Sequence, residues 1–191
     1  GKNTLNYNST DDGACVLVVN NLTIKGNGSL ENVVSDNGYA MSINYTLTVT
    51  DATVTANSEV WADNIVINSG KVSVSRLYAF EDITINGGTV VLHNAHGDSL
   101  TADNLTVNGG SINSVSSQYP LRISGDFTLT GGYVCAKSTA GNGSFWAFNV
   151  YGNISIAEGY TIQAALDQNG NLGEYDPSYR TKYDLIEIKS D

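Results

Sequence analysis

Basic residues are scarce in this chain: nine Lys and Arg stand against nineteen Asp and Glu, for a formal net charge of −10. That balance repels phosphate backbones and anionic headgroups, so it counts against a nucleic-acid partner and a membrane-surface role. Long apolar runs are missing too. None approaches the ~18 residues a spanning helix requires, so no transmembrane segment is expected. Charged residues of both signs make up only 15% of the chain, against a usual ~25%. Ala, Leu, Glu, Lys and Arg are few beside Val, Ile, Thr, Asn and Gly, which argues against helices. Disorder is disfavoured as well, because Val and Ile are spread evenly through all 191 residues. What fills the space is Asn, Ser and Thr, about 30% of the chain. The expectation is one all-β domain.

Internal similarity decides which all-β architecture. The segments NLTIKGNGSL (21–30), YTLTVTDATVTA (45–56), DNIVINSGKVSV (63–74), EDITINGGTVVL (81–92), DNLTVNGGSINS (103–114), GDFTLTGGYVCA (125–136) and GNISIAEGYTIQA (152–164) share one pattern. Two apolar residues stand at i and i+2, a turn follows, and another apolar residue comes about seven after the first. The anchors Leu22, Leu47, Ile65, Ile83, Leu105, Phe127 and Ile154 are spaced 25, 18, 18, 22, 22 and 27 residues apart. A period near 20 that tolerates insertions marks a solenoid, and strict alternation within each unit marks strands. Upstream of each anchor lies a second alternation: Met41 and Ile43, Val60 and Ala62, Tyr78 and Phe80, Leu100 and Ala102, Leu121 and Ile123, Phe148 and Val150. Asn-Gly-Gly and its relatives supply corners that need left-handed backbone. The pattern predicts a right-handed parallel β-helix of about seven coils, three short strands each, roughly 34 Å long at ~4.8 Å per coil.

Both ends need caps, because a bare last coil offers an open strand edge. Residues 1–20 read as the N-terminal lead-in, with Leu17 and Val19 in the pre-anchor positions of the first coil. The repeat coils occupy 21–166, and 167–191 break the repeat as a C-terminal cap. There Asp176-Pro177 predicts a helix start, with Asp as N-cap and Pro at N1. Tyr175, Tyr179 and Tyr183 would face one side of that helix, and YDLIEIK (183–189) a final strand. Cys15 and Cys135 fall five coils apart, about 24 Å against a Cα limit near 7 Å for a disulfide. Two free thiols are expected, Cys15 facing the core. The chain begins at Gly1 with no signal-like stretch, as in a trimmed or mature chain.

Alternation also assigns the outward residues. The middle strands present Thr23, Thr48, Val66, Thr84, Thr106, Thr128 and Ser155, with an Asn- and Thr-rich column two residues on. Only two coils carry both threonines of a Thr-x-Thr pair, too few for an ice-matching surface. The turn before the anchor holds Asp63, Glu81 and Asp103 in one column and Asp82 and Asp126 in the next. Like charges ~5 Å apart repel by roughly 0.8 kcal/mol in water and ~3 at an effective dielectric of 20. Ca²⁺, a hard cation taking six to eight oxygens, is the candidate metal for that ladder. Trp61 alternates with inward Val60 and Ala62 and is expected to be exposed as a sugar-stacking platform. Arg122 falls in the same outward column three coils on, and Tyr133 points out from another face. Trp146 and Phe148 are expected in the core of the 27-residue coil. His93 and His96 with Asp98 form a weak metal pattern. Seven Asn-x-Ser/Thr sequons, Asn21, Asn104 and Asn153 among them, mostly follow the repeat itself.

The units DNIVINSG (63–70), EDITINGG (81–88) and DNLTVNGG (103–110) resemble those of secreted parallel β-helix domains of bacterial cell-surface proteins, the carbohydrate-binding or adhesin-like type. The resemblance spans about residues 21–164. It implies an extracellular module that binds plant or host polysaccharide, in some members with Ca²⁺, and it transfers no single binding residue. The same fold hosts pectate lyases and polygalacturonases. Of the arginines Arg76, Arg122 and Arg180, only Arg122 lies on a strand face near the acidic column, and Arg122-Ile123-Ser124 stops one residue short of the Arg-Ile-Lys signature. The expectation is a monomeric, non-catalytic polysaccharide-binding module using Trp61, Arg122 and Tyr133. The alternatives are a structural stalk or protein-binding adhesin domain, and a pectate-lyase-like enzyme.

Overall fold

A computed structural model of the chain describes residues 1–7, 14–18, 20–34, 38–141, 143–167, 169–179 and 182–191. Nearly all regular structure in them is strand, wound as a parallel β-solenoid of about five turns. Three stacks of strands run along it. In the second stack the anchors pair in one unbroken column, Leu22, Leu47, Ile65, Ile83, Leu105, Phe127 and Ile154. Ile24, Val49, Ile67, Ile85, Val107, Leu129 and Ile156 form the column beside it. The third stack lines up Leu30, Val54, Val72, Val90, Ile112 and Val134. The first stack turns Met41, Val60, Leu77, Leu100, Leu121 and Phe148 inward. The corner between first and second stacks is shallow enough that Tyr39–Thr50 and Glu59–Ile67 each pass through it as one strand. Inside, Phe127 and Phe148 meet edge to face, centroids 4.9 Å apart.

Several expectations are corrected. The turns number about five instead of seven, and the outer units are the irregular ones. In the first unit Leu22 and Ile24 are only half-buried. In the last, the third-stack strand Tyr160–Ala165 is separated from the coils by an antiparallel strand. In the lead-in, Val16 and Val18, not Leu17, hold the register opposite Met41 and Ile43; Val19 lies outside the described residues. Leu77 and Ala79 are buried in the coil where Tyr78 and Phe80 were expected inside. Tyr78 is half-buried and Phe80 is 51% exposed. The neighbouring coils place the small Ala62 and Ala102 inside at that position, and Ala79, in register with Ala62, continues the run of small buried residues. Trp146 is half-buried while Phe148 is in the core.

Between second and third stacks the corner is a column of left-handed glycines, Gly70, Gly88, Gly110 and Gly132, with φ between 77° and 94°. Each backbone rests on the one before: Thr89 N–H donates to Gly70 O, Ser111 to Gly88 and Tyr133 to Gly110, all at 2.9 Å. Next to it runs an amide ladder. Asn68 donates to Thr50 Oγ1 (3.1 Å), Asn86 to Asn68 (2.9 Å), Asn108 to Asn86 (2.9 Å), and the Thr130 hydroxyl to Asn108 (2.7 Å). This is why the outward column is rich in Asn and Thr.

The C-terminal cap is built from the expected parts in a different arrangement. Asp176 caps a single 3₁₀ turn, Pro177–Tyr179, where Asp176 Oδ1 accepts the Ser178 N–H at 2.8 Å. A hydrogen bond from the Ser178 side chain, together with that backbone bond, lowers the Asp176 pKa. One turn is too short to align three tyrosines, and Tyr175 packs against Tyr183 across it instead. The final strand Leu185–Ser190 inserts antiparallel between Tyr133–Ser138 and Tyr160–Ala165. Both cysteines are free thiols. Cys15 packs against the core, and burial raises its pKa.

Candidate functional site

Register places Ser42, Trp61, Tyr78, Thr101, Arg122 and Asn149 in one outward column of the first stack. Trp61 is half-buried, not freely exposed as its alternation suggests. Tyr39 and Tyr78 lie against it with centroids 4.7 Å away, tilted at 50° and stacked at 21°. Phe80 meets it edge-on at 5.6 Å. The indole N–H donates to Glu59 Oε2 at 2.7 Å. Arg76 covers the Tyr78 ring at 4.8 Å, donates to Thr101 Oγ1 at 3.1 Å, and stands 3.6 Å from the same Glu59 carboxylate. Four aromatic rings from three coils thus pack as one strip.

Two corner insertions turn that strip into a groove. Ala62 to Asn64 spans two residues, whereas Ile43 to Thr46, paired with them, spans three. On the other side, Ala79 to Ile83 holds one residue more than Ala62 to Ile65. The surplus residues carry Tyr45 and Phe80, 55% and 51% exposed. The plain corner between them becomes a notch of about 370 Å³, lined by Tyr45, Phe80, Trp61 and Asp63 with Ser42 and Asn44. Tyr45 and Phe80 come from coils two steps apart, about 10 Å between backbones. A second open groove, about 430 Å³, lies across Trp61 and is lined by Tyr39, Ser58, Glu59 and Arg76.

The other predicted residues do not join this site. Arg122 shares the Trp61 column but is held 3.2 Å from the buried Asp98 carboxylate and leans over Tyr119 at 5.8 Å. Tyr133 is on the third stack, where its hydroxyl donates to Glu187 Oε1 at 2.7 Å. Burial and that bond hold its phenol pKa far above the usual range. His93 and His96 are exposed, while Asp98 is occupied by Arg122.

The acidic turn is a mixed ladder. Asp82 and Asp126 alternate with amides in one column: Asn104 donates to Asp82 at 2.8 Å, and the Asn153 backbone to Asp126 at 2.7 Å. In the other column Glu81 accepts from Asn64 (2.7 Å) and Asp103 from the Ser124 hydroxyl (2.8 Å). Among the described residues no three His, Cys, Asp or Glu side chains converge as a metal set. Amide and hydroxyl donors thus offset the repulsion that the sequence reading assigned to Ca²⁺. Exchanging EDTA for millimolar Ca²⁺ is expected to move the thermal midpoint by less than about 1 °C. A rise of several degrees would show that the native state recruits the ion.

Comparison with protein-family models, curated proteins and solved structures finds no match to this chain. Tyr39, Tyr45 and Phe80 are the groove aromatics that sequence reasoning missed, along with Tyr78, which stacks on Trp61 beside the grooves. For Tyr78 and Phe80 a signal was present: the small Ala62 and Ala102 in neighbouring coils call for Ala79 inside. For Tyr45 it was the odd residue in the Ile43–Thr46 spacing.

Proposed function

We propose that this protein is a non-catalytic, extracellular carbohydrate-binding module whose site is the groove between Tyr45 and Phe80. The observation that carries the reading is that two exposed aromatic residues, Tyr45 and Phe80, line one groove together with Trp61, Asp63, Ser42 and Asn44. Apolar ring faces beside a few polar groups are what a sugar needs, since a pyranose offers CH faces and an edge of hydroxyls. The site stands on strands and their corners, so it is formed before ligand arrives.

The test is affinity electrophoresis on soluble β-glucan, xylan and mannan, with wild type beside Phe80→Ala and Tyr45→Ala. Tyr45 makes no ring contact among the described residues, so Tyr45→Ala should unfold within about 0.5 kcal/mol of wild type. Phe80→Ala also gives up edge contacts to Trp61 and Tyr78 and should lose about 1–3 kcal/mol while staying folded. Retention by at least one polysaccharide, reduced about tenfold or more in each variant, is expected. Retention of none would favour the stalk or protein-adhesin reading, whose support is the hydrogen-bonded Asn and Thr surface elsewhere.

A further inference from the structure

Building on the carbohydrate-binding reading, we infer that the ligand is an uncharged glycan chain lying across Trp61 and filling both grooves, with Asp63 accepting its hydroxyls. Three observations lead there. Glu59, Trp61 and Asp63 alternate on the outward side of the strand Glu59–Ile67, over about 13 Å. One groove opens at each end of that line, and Trp61 lines both. A single terminal sugar fills one groove, whereas two grooves sharing a wall call for neighbouring units of one chain.

Charge then selects the class. Glu81, Asp82, Asp103 and Asp126 each accept a hydrogen bond from a side chain or backbone of the solenoid. Among the described residues, the Asp63 carboxylate has no such donor, and it faces the corner groove. A free carboxylate accepts strongly from the vicinal hydroxyls of a sugar. Arg76, the cation of the trough, is neutralised beside Glu59 and occupied by Thr101. Among the described residues lining the two grooves no other cation is left to compensate a uronate, and the chain's charge of −10 repels one.

The experiment measures binding in EDTA to the best-retained neutral polysaccharide, to its disaccharide and hexasaccharide, to polygalacturonate and to chitosan. The wild-type protein is compared with Asp63→Asn and Phe80→Ala. The expected result is a hexasaccharide bound at least tenfold more tightly than the disaccharide, with polygalacturonate not bound. Asp63→Asn should weaken the neutral chain about tenfold without shifting the thermal midpoint. Polygalacturonate binding as tightly as the neutral chain, chitosan binding as tightly when salt screens its attraction to the acidic surface, equal binding of the two oligosaccharides, or an unaffected Asp63→Asn variant would each overturn the inference. In those cases loss of binding in Phe80→Ala would still uphold the groove as the site. Binding of no polysaccharide would remove the underlying reading and the inference with it.

Discussion

Gly88→Ala is expected to destabilise the protein by about 3–5 kcal/mol, among the largest effects any single methyl can produce here. Two costs combine. The backbone at Gly88 has φ +81°, a left-handed geometry that costs a side-chain-bearing residue about 1–2 kcal/mol. The new Cβ would also stand 2.6 Å from the Gly70 carbonyl oxygen and 2.9 Å from the Ser69 carbonyl carbon. Both are backbone atoms of the preceding coil, held there by the Thr89 N–H bond to Gly70 O, so neither can withdraw without opening the coil stack. Gly159→Ala separates the two contributions, because Gly159 has φ +79° but nothing within 4 Å of the added carbon. It should lose only about 1–2 kcal/mol. Urea unfolding of the two variants checks this, and equal losses would mean that close stacking of coils is not what demands glycine.

Ile188→Asp should be as damaging, with a different signature. Ile188 is fully buried in the cap strand, between Val134 of the last regular coil and Ile162 of Tyr160–Ala165. A carboxylate there has no partner, and burying it costs about 4 kcal/mol or more. The cap is also tied to the last regular coil by polar contacts: Tyr133 to Glu187 at 2.7 Å and Ser138 N–H to Asp184 O at 2.7 Å. Solenoid coils are stabilised mainly by their neighbours, so damage at the end should fray the end first. The expected outcome is a two-step urea transition, with the last coils lost before the middle ones. Exposing the edge of Tyr133–Ser138 should also promote self-association, seen by light scattering. A single transition at the wild-type midpoint, with no change in mass, would show that the cap strand is dispensable.

Much of the architecture was legible from residue order. The second-stack column runs through all seven anchors picked out by spacing, because each middle strand repeats its pattern beside a corner that tolerates only Gly, Asn or a near substitute. The Asp176 cap, the free thiols and the final strand were legible for similar local reasons. The site was less so. Leu77-Tyr78-Ala79-Phe80 is apolar in both alternations, and side chains on a strand repeat every two residues, so a slip of one exchanges inside for outside. Local pattern cannot choose between those registers. The choice was made by the Val60–Ala62 strand beside it and by the narrow interior, which together sent Tyr78 and Phe80 out to meet Trp61.

The acidic ladder shows the same division. Sequence spacing put Asp63, Glu81 and Asp103 in one column, yet Glu81 and Asp103 find donors only because Asn64 and Ser124 arrive from a neighbouring coil, and Asp63 finds none among the described residues. The cap strand likewise looked like one more strand, and only packing settled that it runs antiparallel between two others. Period, strand content and corner chemistry are set by residues close in the chain, and they can be read there. Register, partner and groove arise between residues 17 to 54 positions apart, where the filling of a shared interior decides.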